Sequence, residues 1–87
     1  MPEIDSPIPS TIVWNTVDDE ALLLDIETGS YFSLDPIATK IWTGLSEGRS
    51  QEAIASELAQ VYGVETEVIQ NDIADLLLEL TKAGLWK

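Results

Sequence analysis

The chain has 87 residues, of which four are lysine or arginine and sixteen are aspartate or glutamate, so its formal net charge is −12. This charge argues against nucleic-acid binding, because affinity for a phosphate backbone comes largely from basic side chains. The absence of cysteine excludes disulfides and thiol nucleophiles, and the absence of histidine excludes the commonest general base. Hydrophobic residues make up 45% of the chain, too many for a disordered acidic tail, so we expect one small folded domain with an acidic surface.

The first ten residues predict an extended lead-in to a domain that spans residues 11–87. Pro2, Pro7 and Pro9 block regular strand pairing there. The lead-in has no basic stretch followed by an apolar one, so it does not resemble a signal peptide. The longest purely aliphatic run, residues 21–24, is far shorter than a membrane span. We therefore expect a cytoplasmic protein that does not contact a membrane.

Two short strands are predicted next. Residues 11–16 are rich in β-branched and aromatic side chains, and residues 21–26 form a second apolar run. The acidic residues 18–20 separate the two runs. Gly29 then ends a tight turn, because glycine readily takes the positive φ that a hairpin requires.

Residues 30–34 predict a third strand. Their alternation places Phe32 and Leu34 on one face and Tyr31 and Ser33 on the opposite face. If the strands pair in hairpin order, this third strand lies at an edge of the sheet with unpaired backbone groups.

The predicted edge lacks the usual protection. Edge strands commonly carry proline, lysine or a bulge, and residues 30–34 show none of these signals. Such an edge is a candidate docking site for an extended peptide that adds to the sheet as a strand. The alternative is that residues 8–10 or a second subunit covers it.

After the third strand the hydrophobic period changes to 3.6, which predicts three helices. Asp35 and Pro36 start the first helix as N-cap and first helical residue, Ser50 caps the second, and Thr66 or a neighbour opens the third. Glycines end the helices, at Gly48, Gly63 and Gly84. The expected inward residues are Ile37, Ile41, Trp42 and Leu45 in the first helix, Ala53, Ile54, Leu58 and Val61 in the second, and Ile69, Ile73, Leu76, Leu77 and Leu80 in the third. Three strands followed by three helices predict an α+β domain with its helices on one face of a small antiparallel sheet.

Two motifs suggest chemistry that the rest of the sequence does not support. Residues 44–48 match the G-x-S-x-G nucleophile elbow, but that motif needs a preceding strand and an activating histidine, and here it ends a helix. The acidic residues 18–20 lack the spaced oxygen ligands of a calcium loop and are interpreted as a solvated turn. We therefore predict no enzyme activity, no metal site and no cofactor.

An acidic stripe runs along the third helix. Val68, Asp72, Asp75 and Glu79 lie at i, i+4, i+7 and i+11, to one side of the apolar face. A solvated acidic face is one interpretation. A groove that receives basic or hydrogen-bond-donating groups from a partner is the other.

Segments spread over residues 12–86 resemble the PqqD-like family, small recognition domains in pathways that make modified peptides from ribosomal precursors. The segments, in chain order, are Leu23-Leu24-Asp25, Thr28-Gly29-Ser30-Tyr31-Phe32-Ser33-Leu34-Asp35, Ile41-Trp42, Glu47-Gly48-Arg49-Ser50 with Ile54 and Leu58, and Asp72-Ile73, Leu76-Leu77, Leu80 and Gly84-Leu85. The set is most similar to the free-standing leader-binding proteins of lasso-peptide biosynthesis.

The resemblance implies a winged-helix-like fold that binds the leader segment of a precursor peptide as an added strand, between the third strand and the third helix. It implies a leader with a Tyr-x-x-Pro element, which the protein presents to a leader peptidase and a cyclase. A winged helix often binds DNA, but the charge of −12 argues against that use here.

Carried onto this chain, the resemblance implies ten peptide-binding residues. The strand contributes Ser30, Tyr31, Phe32, Ser33 and Leu34, and the helix contributes Val68, Asp72, Asp75, Leu76 and Glu79. Asp72 matches the aspartate position that recurs in the family, and Leu78 is the main rival for the apolar lining.

Two other functions remain open. One is recognition of a precursor in a different modified-peptide pathway, such as that of a quinone cofactor or a radical-enzyme product. The other is a structural interaction domain whose sheet edge is filled by a second copy of the chain.

Overall fold

The computed structural model describes residues 8–86, in which a three-stranded sheet precedes three helices. The elements are β1 (Ile12–Val17), β2 (Glu20–Asp25), β3 (Tyr31–Leu34), α1 (Pro36–Ser46), α2 (Gln51–Tyr62) and α3 (Thr66–Lys82). The sheet is antiparallel with the order β1-β2-β3. This architecture confirms the predicted α+β fold and is compatible with a winged-helix-like description. Residues 1–7, most of the expected lead-in, and residue 87 lie outside the described part of the chain.

The acidic run between β1 and β2 is a hairpin turn. Asp18 and Asp19 both have positive φ, 51° and 66°, which is the backbone that a two-residue hairpin needs to match the twist of its strands. Glu20 is the first residue of β2. The first two strands therefore differ by one residue at each end from the predicted ranges 11–16 and 21–26.

A side-chain hydrogen-bond network stabilises the turn between β2 and β3. The Asp25 carboxylate accepts the backbone N–H of Glu27 at 2.9 Å and that of Thr28 at 3.4 Å. These bonds, the one from Glu27 first, hold the pKa of Asp25 below its ordinary value. Gly29 follows with a φ of 81°, as the sequence predicts.

The helix starts at α1 and α2 are those predicted. The Asp35 side chain accepts the backbone N–H of Ala38 at 2.8 Å, and Ser50 accepts that of Ala53 at 3.1 Å. The end of α3 also follows its sequence signal, since the N–H of Leu85 donates to the carbonyl of Leu80 at 2.8 Å and Leu85 is fully buried. None of the described helices is long and apolar enough to cross a membrane.

The core lies between the inner face of the sheet and the three helices. Trp42 of α1 is fully buried at its centre, with the rings of Trp14 and Trp86 packed edge to face against it at centroid distances of 5.2 and 6.2 Å. Leu23 from the central strand and Leu80 from α3 are also fully buried.

The prediction for the inward face of α2 is partly wrong. Ile54 and Leu58 are buried as expected, but Ala53 is exposed and Val61 keeps 65% of its surface exposed. The other buried positions are Ala55 and Ala59. Both are small residues, so this face of α2 gives a weaker apolar signal in the sequence than Val61 does.

Candidate functional site

The outer edge of β3 is open in the described part of the chain. Because the N–H of Asp25 donates to the carbonyl of Ser30 at 2.8 Å, and backbone groups alternate in an antiparallel ladder, the N–H and C=O groups of Phe32 and Leu34 point toward β2. Those of Tyr31 and Ser33 point away from the sheet. No other strand in residues 8–86 pairs with this edge.

Thr39 of α1 closes the end of the β2–β3 ladder. Its buried hydroxyl accepts the N–H of Ala21 at 2.9 Å and donates to the carbonyl of Leu34 at 3.3 Å. The hydroxyl therefore stands between two backbone groups that face each other across the strands. This bridge attaches the end of β3 to the first turns of α1.

The two faces of β3 differ as predicted. Tyr31 and Ser33 are exposed on the face away from the helices, and Tyr31 keeps 73% of its surface. Phe32 is half-buried against the core, whereas Leu34 is only 2% exposed and belongs to the core itself. Ser30 lies one residue before the strand, in the turn. The strand is thus one residue shorter than predicted, and Leu34 offers almost no surface to a ligand.

A cleft of about 210 Å³ opens beyond the end of β3, between the start of α1 and the side of α3. Its lining consists of the apolar residues Ile37, Ala38, Ile41 and Leu76 and the acidic residues Asp35, Asp72, Asp75 and Glu79. No lysine or arginine within residues 8–86 lines the cleft. The cleft can therefore accept one or two apolar side chains beneath a strongly acidic rim.

The structure brings together most, but not all, of the predicted helix residues. Asp72, Asp75 and Glu79 line the cleft, and Leu76 reaches it from a largely buried position in the core. Val68 is 46% exposed and lies outside the lining. The rival residue Leu78 is also exposed and does not line the cleft.

Sequence reasoning missed the α1 side of the cleft. Asp35, Ile37, Ala38 and Ile41 form half of its lining, although none was among the predicted site residues. A local signal was present, since the helix start at Asp35 follows β3 without a loop. The first turn of α1 therefore has to lie at the end of the edge strand.

The nucleophile-elbow match has the structural role expected of it. Ser46 lies in the last turn of α1, and its hydroxyl donates to the carbonyl of Thr43 at 2.7 Å. The hydroxyl is thus engaged with its own helix.

Comparisons with known proteins found a matching family profile and similar solved structures. The sequence profile of the family described as Coenzyme PQQ synthesis protein D (PqqD) matches residues 20–85. The solved structure described as "TbiB1 in Complex with the TbiA(beta) Leader Peptide" has a TM-score of 0.85 and 34% identity, and the match covers 92% of this chain and 93% of that chain. The structure described as "Lasso peptide synthetase B1 complexed with the leader peptide" has a TM-score of 0.83 and 31% identity, over 90% of this chain and 92% of that one. No curated protein matches the chain significantly.

Proposed function

The chain belongs to the PqqD family, and on that basis we propose that it is a non-catalytic protein that recognises the leader of a lasso-peptide precursor. The observation that carries the proposal is the open edge of β3 beside an apolar-floored cleft, in a fold shared with two leader-bound proteins at 31–34% identity. Family membership confirms the resemblance inferred from the sequence.

The leader adds to the sheet as a fourth strand. The outward N–H and C=O groups of Tyr31 and Ser33 form its ladder bonds, so affinity does not depend on the identity of every leader residue. Leader side chains alternate between the two faces of the extended sheet. Those on the helix side pass over Phe32 and enter the cleft.

The cleft selects the anchor residues of the leader. Its apolar floor binds aliphatic or aromatic side chains, each contributing about 25 cal/mol per Å² of buried apolar surface. Asp72, Asp75 and Glu79 at its rim accept hydrogen bonds from the leader. Ordering a flexible leader costs several kcal/mol, so we expect submicromolar rather than picomolar affinity.

The bound leader then guides the precursor to other enzymes. In this proposal the protein has no active site of its own, and a leader peptidase and a cyclase act on the peptide that it presents. A Tyr-x-x-Pro element in the leader supplies the aromatic anchor. The complex works in the cytoplasm without a membrane or nucleic acid.

A proline substitution in β3 tests strand addition directly. Ser33→Pro removes an N–H that points away from the sheet, so the β2–β3 ladder keeps its own bonds while the leader loses one. We expect affinity for a fluorescein-labelled leader, taken from the precursor encoded beside the gene, to fall by roughly tenfold or more in fluorescence anisotropy.

The matched control is Thr16→Pro, on the outer edge of β1. By the alternation of the β1–β2 ladder its N–H also points out of the sheet, and it donates to the neighbouring side chain of Asn15. This variant should bind the leader like the wild type. Equal affinities for wild type and Ser33→Pro would rule out addition at β3.

A different precursor is the second candidate, because the matching family profile is described by coenzyme PQQ synthesis. Competition of the labelled lasso leader with a peptide from a quinone-cofactor precursor distinguishes the two. Displacement by the quinone precursor at lower concentration than by the unlabelled lasso leader would favour that pathway. Self-association through β3 predicts instead a dimer on gel filtration that ignores added leader.

A further inference from the structure

The sheet has a second edge, the outer side of β1, with which no other strand pairs among the described residues. β1 has six residues, whereas β3 has four. Five of the six are β-branched or aromatic, the side chains that favour strands. By length and composition β1 is thus the better template for an added strand. A leader that selects β3 needs a physical reason to avoid β1.

The ladder between β1 and β2 determines which backbone groups of β1 face outward. The N–H of Ile26 donates to the carbonyl of Thr11 at 3.1 Å, and backbone groups alternate along an antiparallel ladder. The N–H and C=O groups of Ile12, Trp14 and Thr16 therefore point away from the sheet. These are the groups to which a strand added at β1 has to bond.

Two of the three outward N–H groups of β1 are already engaged. The N–H of Ile12 donates to the carbonyl of Pro9 at 3.1 Å, in the turn that leads into the strand. The N–H of Thr16 donates to the side-chain Oδ1 of Asn15 at 3.1 Å. Within the described part of the chain, the N–H of Trp14 alone has no hydrogen-bond partner among the three.

The outward N–H groups of β3 are not capped in this way. Those of Tyr31 and Ser33 have no hydrogen-bond partner in residues 8–86, so both are available to the carbonyls of an added strand. At β1, two carbonyls of such a strand would meet engaged donors. Each would have to displace an existing bond or stay unpaired in the ladder, and either result lowers affinity.

Asn15 is an unusual residue for its position in β1. Asparagine is disfavoured in strands, and it is the one residue of β1 that is neither β-branched nor aromatic. Its side chain is exposed, so packing in the core does not account for it. The hydrogen bond to the N–H of Thr16 is what this side chain contributes to the strand.

We propose that Asn15 and the Pro9 carbonyl close β1 to added strands and thereby direct the leader to β3, an inference that rests on the function proposed above. Edge strands are commonly protected by proline, lysine or a bulge. Here internal hydrogen bonds occupy the donors instead. Pro9 supplies a backbone carbonyl, whereas Asn15 supplies a side chain that a substitution can remove. Asn15 is thus a specificity-determining residue that lies outside the leader-binding edge.

The test compares Asn15→Ala, which removes the acceptor, with the wild type. Amide spectra of the nitrogen-15-labelled proteins are followed by NMR during titration with the unlabelled leader of the precursor encoded beside the gene. In the wild type we expect shifts at Tyr31 and Ser33 that saturate, and none at Trp14 or Thr16. In Asn15→Ala we expect a second set of shifts at Trp14 and Thr16, with a Kd about tenfold or more above that of the β3 site.

Two further variants are matched controls. Asn15→Asp keeps a side-chain oxygen at the same place and should behave like the wild type. Val13→Ala makes a similar truncation in β1, at an exposed position that caps no N–H, and should give no second site. Affinity at β3 should stay within about twofold of wild type in all three variants.

Hydrogen exchange separates this inference from the proposed function. In leader-free protein, the amide of Thr16 should exchange about threefold or more faster in Asn15→Ala than in the wild type, and at the wild-type rate in Val13→Ala. Unshifted Trp14 and Thr16 amides in Asn15→Ala at saturating leader overturn the inference, as does an equal second site in Val13→Ala. If the wild type binds no leader, the proposed function fails, while faster Thr16 exchange in Asn15→Ala alone still supports the cap on β1.

Discussion

A single buried hydroxyl on α1 is hydrogen-bonded to both β2 and β3. Thr39 is 5% exposed and makes two hydrogen bonds, one to each of the two strands that form the edge hairpin. A buried N–H without a partner costs more free energy than a hydrogen bond contributes. The residue is therefore more important to the peptide-binding edge than its position in a helix suggests.

Thr39→Val replaces the hydroxyl by a methyl group of similar volume. We expect it to lower the free energy of unfolding by about 1–3 kcal/mol, because the N–H of Ala21 loses its partner in a buried site. Urea denaturation followed by circular dichroism measures the change. Thr39→Ser keeps the hydroxyl and should cost clearly less. A Val variant as stable as the Ser variant would show that the bridge contributes nothing.

Asp25 should make the hairpin sensitive to acid. Its pKa is lowered in the folded protein by backbone hydrogen bonds, so its contribution to stability is complete above the ordinary aspartate pKa and is lost as the pH falls through the lower folded value. The stability advantage of the wild type over Asp25→Asn should shrink as the pH falls from about 5 to about 2. NMR titration of the Asp25 carboxyl should give a pKa below 3.8; a value above it contradicts the turn geometry.

At the scale of elements, close approach between α1 and α2 depends on Gly44. A Cβ built at this position would lie 2.9 Å from two side-chain atoms of Ile54, closer than ordinary van der Waals contact. Gly44 is buried in the last part of α1. The position that looked like part of a catalytic motif is thus a packing contact between two helices.

Gly44→Ala should destabilise the protein by about 1–2 kcal/mol, because crowding against Ile54 outweighs the higher helix propensity of alanine. Ile54→Val in the same chain removes one of the crowded atoms. The double variant should therefore be more stable than the sum of the two single effects predicts, as thermal or urea unfolding can measure. Simple additivity would show that the two residues do not press on each other.

The sequence was sufficient to predict the strands and helices, because the local signals in each of them agree with the packing. Asp35, Ser50 and Gly84 mark helix ends that the structure retains, and the alternation at Tyr31 and Phe32 places the two faces of β3 correctly. The cleft was only half predictable. Its α1 side and the bridge through Thr39 arise where residues distant in sequence meet, and no periodic pattern reports such a meeting. The three successive leucines of β2 break the alternation of a strand with one buried face, and Leu22 and Leu24 are exposed on the outer face of the sheet.

At the scale of the whole molecule, like charges oppose the compact state. The net charge is −12, and the ion pair within the described residues joins Arg49 to Glu57 at 2.8 Å on the surface. One exposed pair contributes little. Repulsion among the many carboxylates therefore dominates the long-range electrostatics of the domain.

Salt should stabilise this protein. Raising NaCl from about 20 mM to about 200 mM shortens the range of the repulsion and should raise the free energy of unfolding by on the order of 1 kcal/mol. Urea denaturation at the two salt concentrations measures the change without adding a charged denaturant. A fall in stability with salt would mean that attractive pairs such as Arg49 and Glu57 outweigh the repulsion.

The edge-to-face contacts of Trp42 with Trp14 and Trp86 have an optical consequence. The rings of Trp14 and Trp86 are held 5.2 and 6.2 Å from that of the fully buried Trp42, so this fixed packing gives the folded domain a near-ultraviolet dichroic signature. This signature disappears when side-chain packing loosens while the backbone remains ordered. The protein thus contains its own label-free reporter of core integrity, which can separate variants that have lost a binding surface from variants that have lost their tertiary structure.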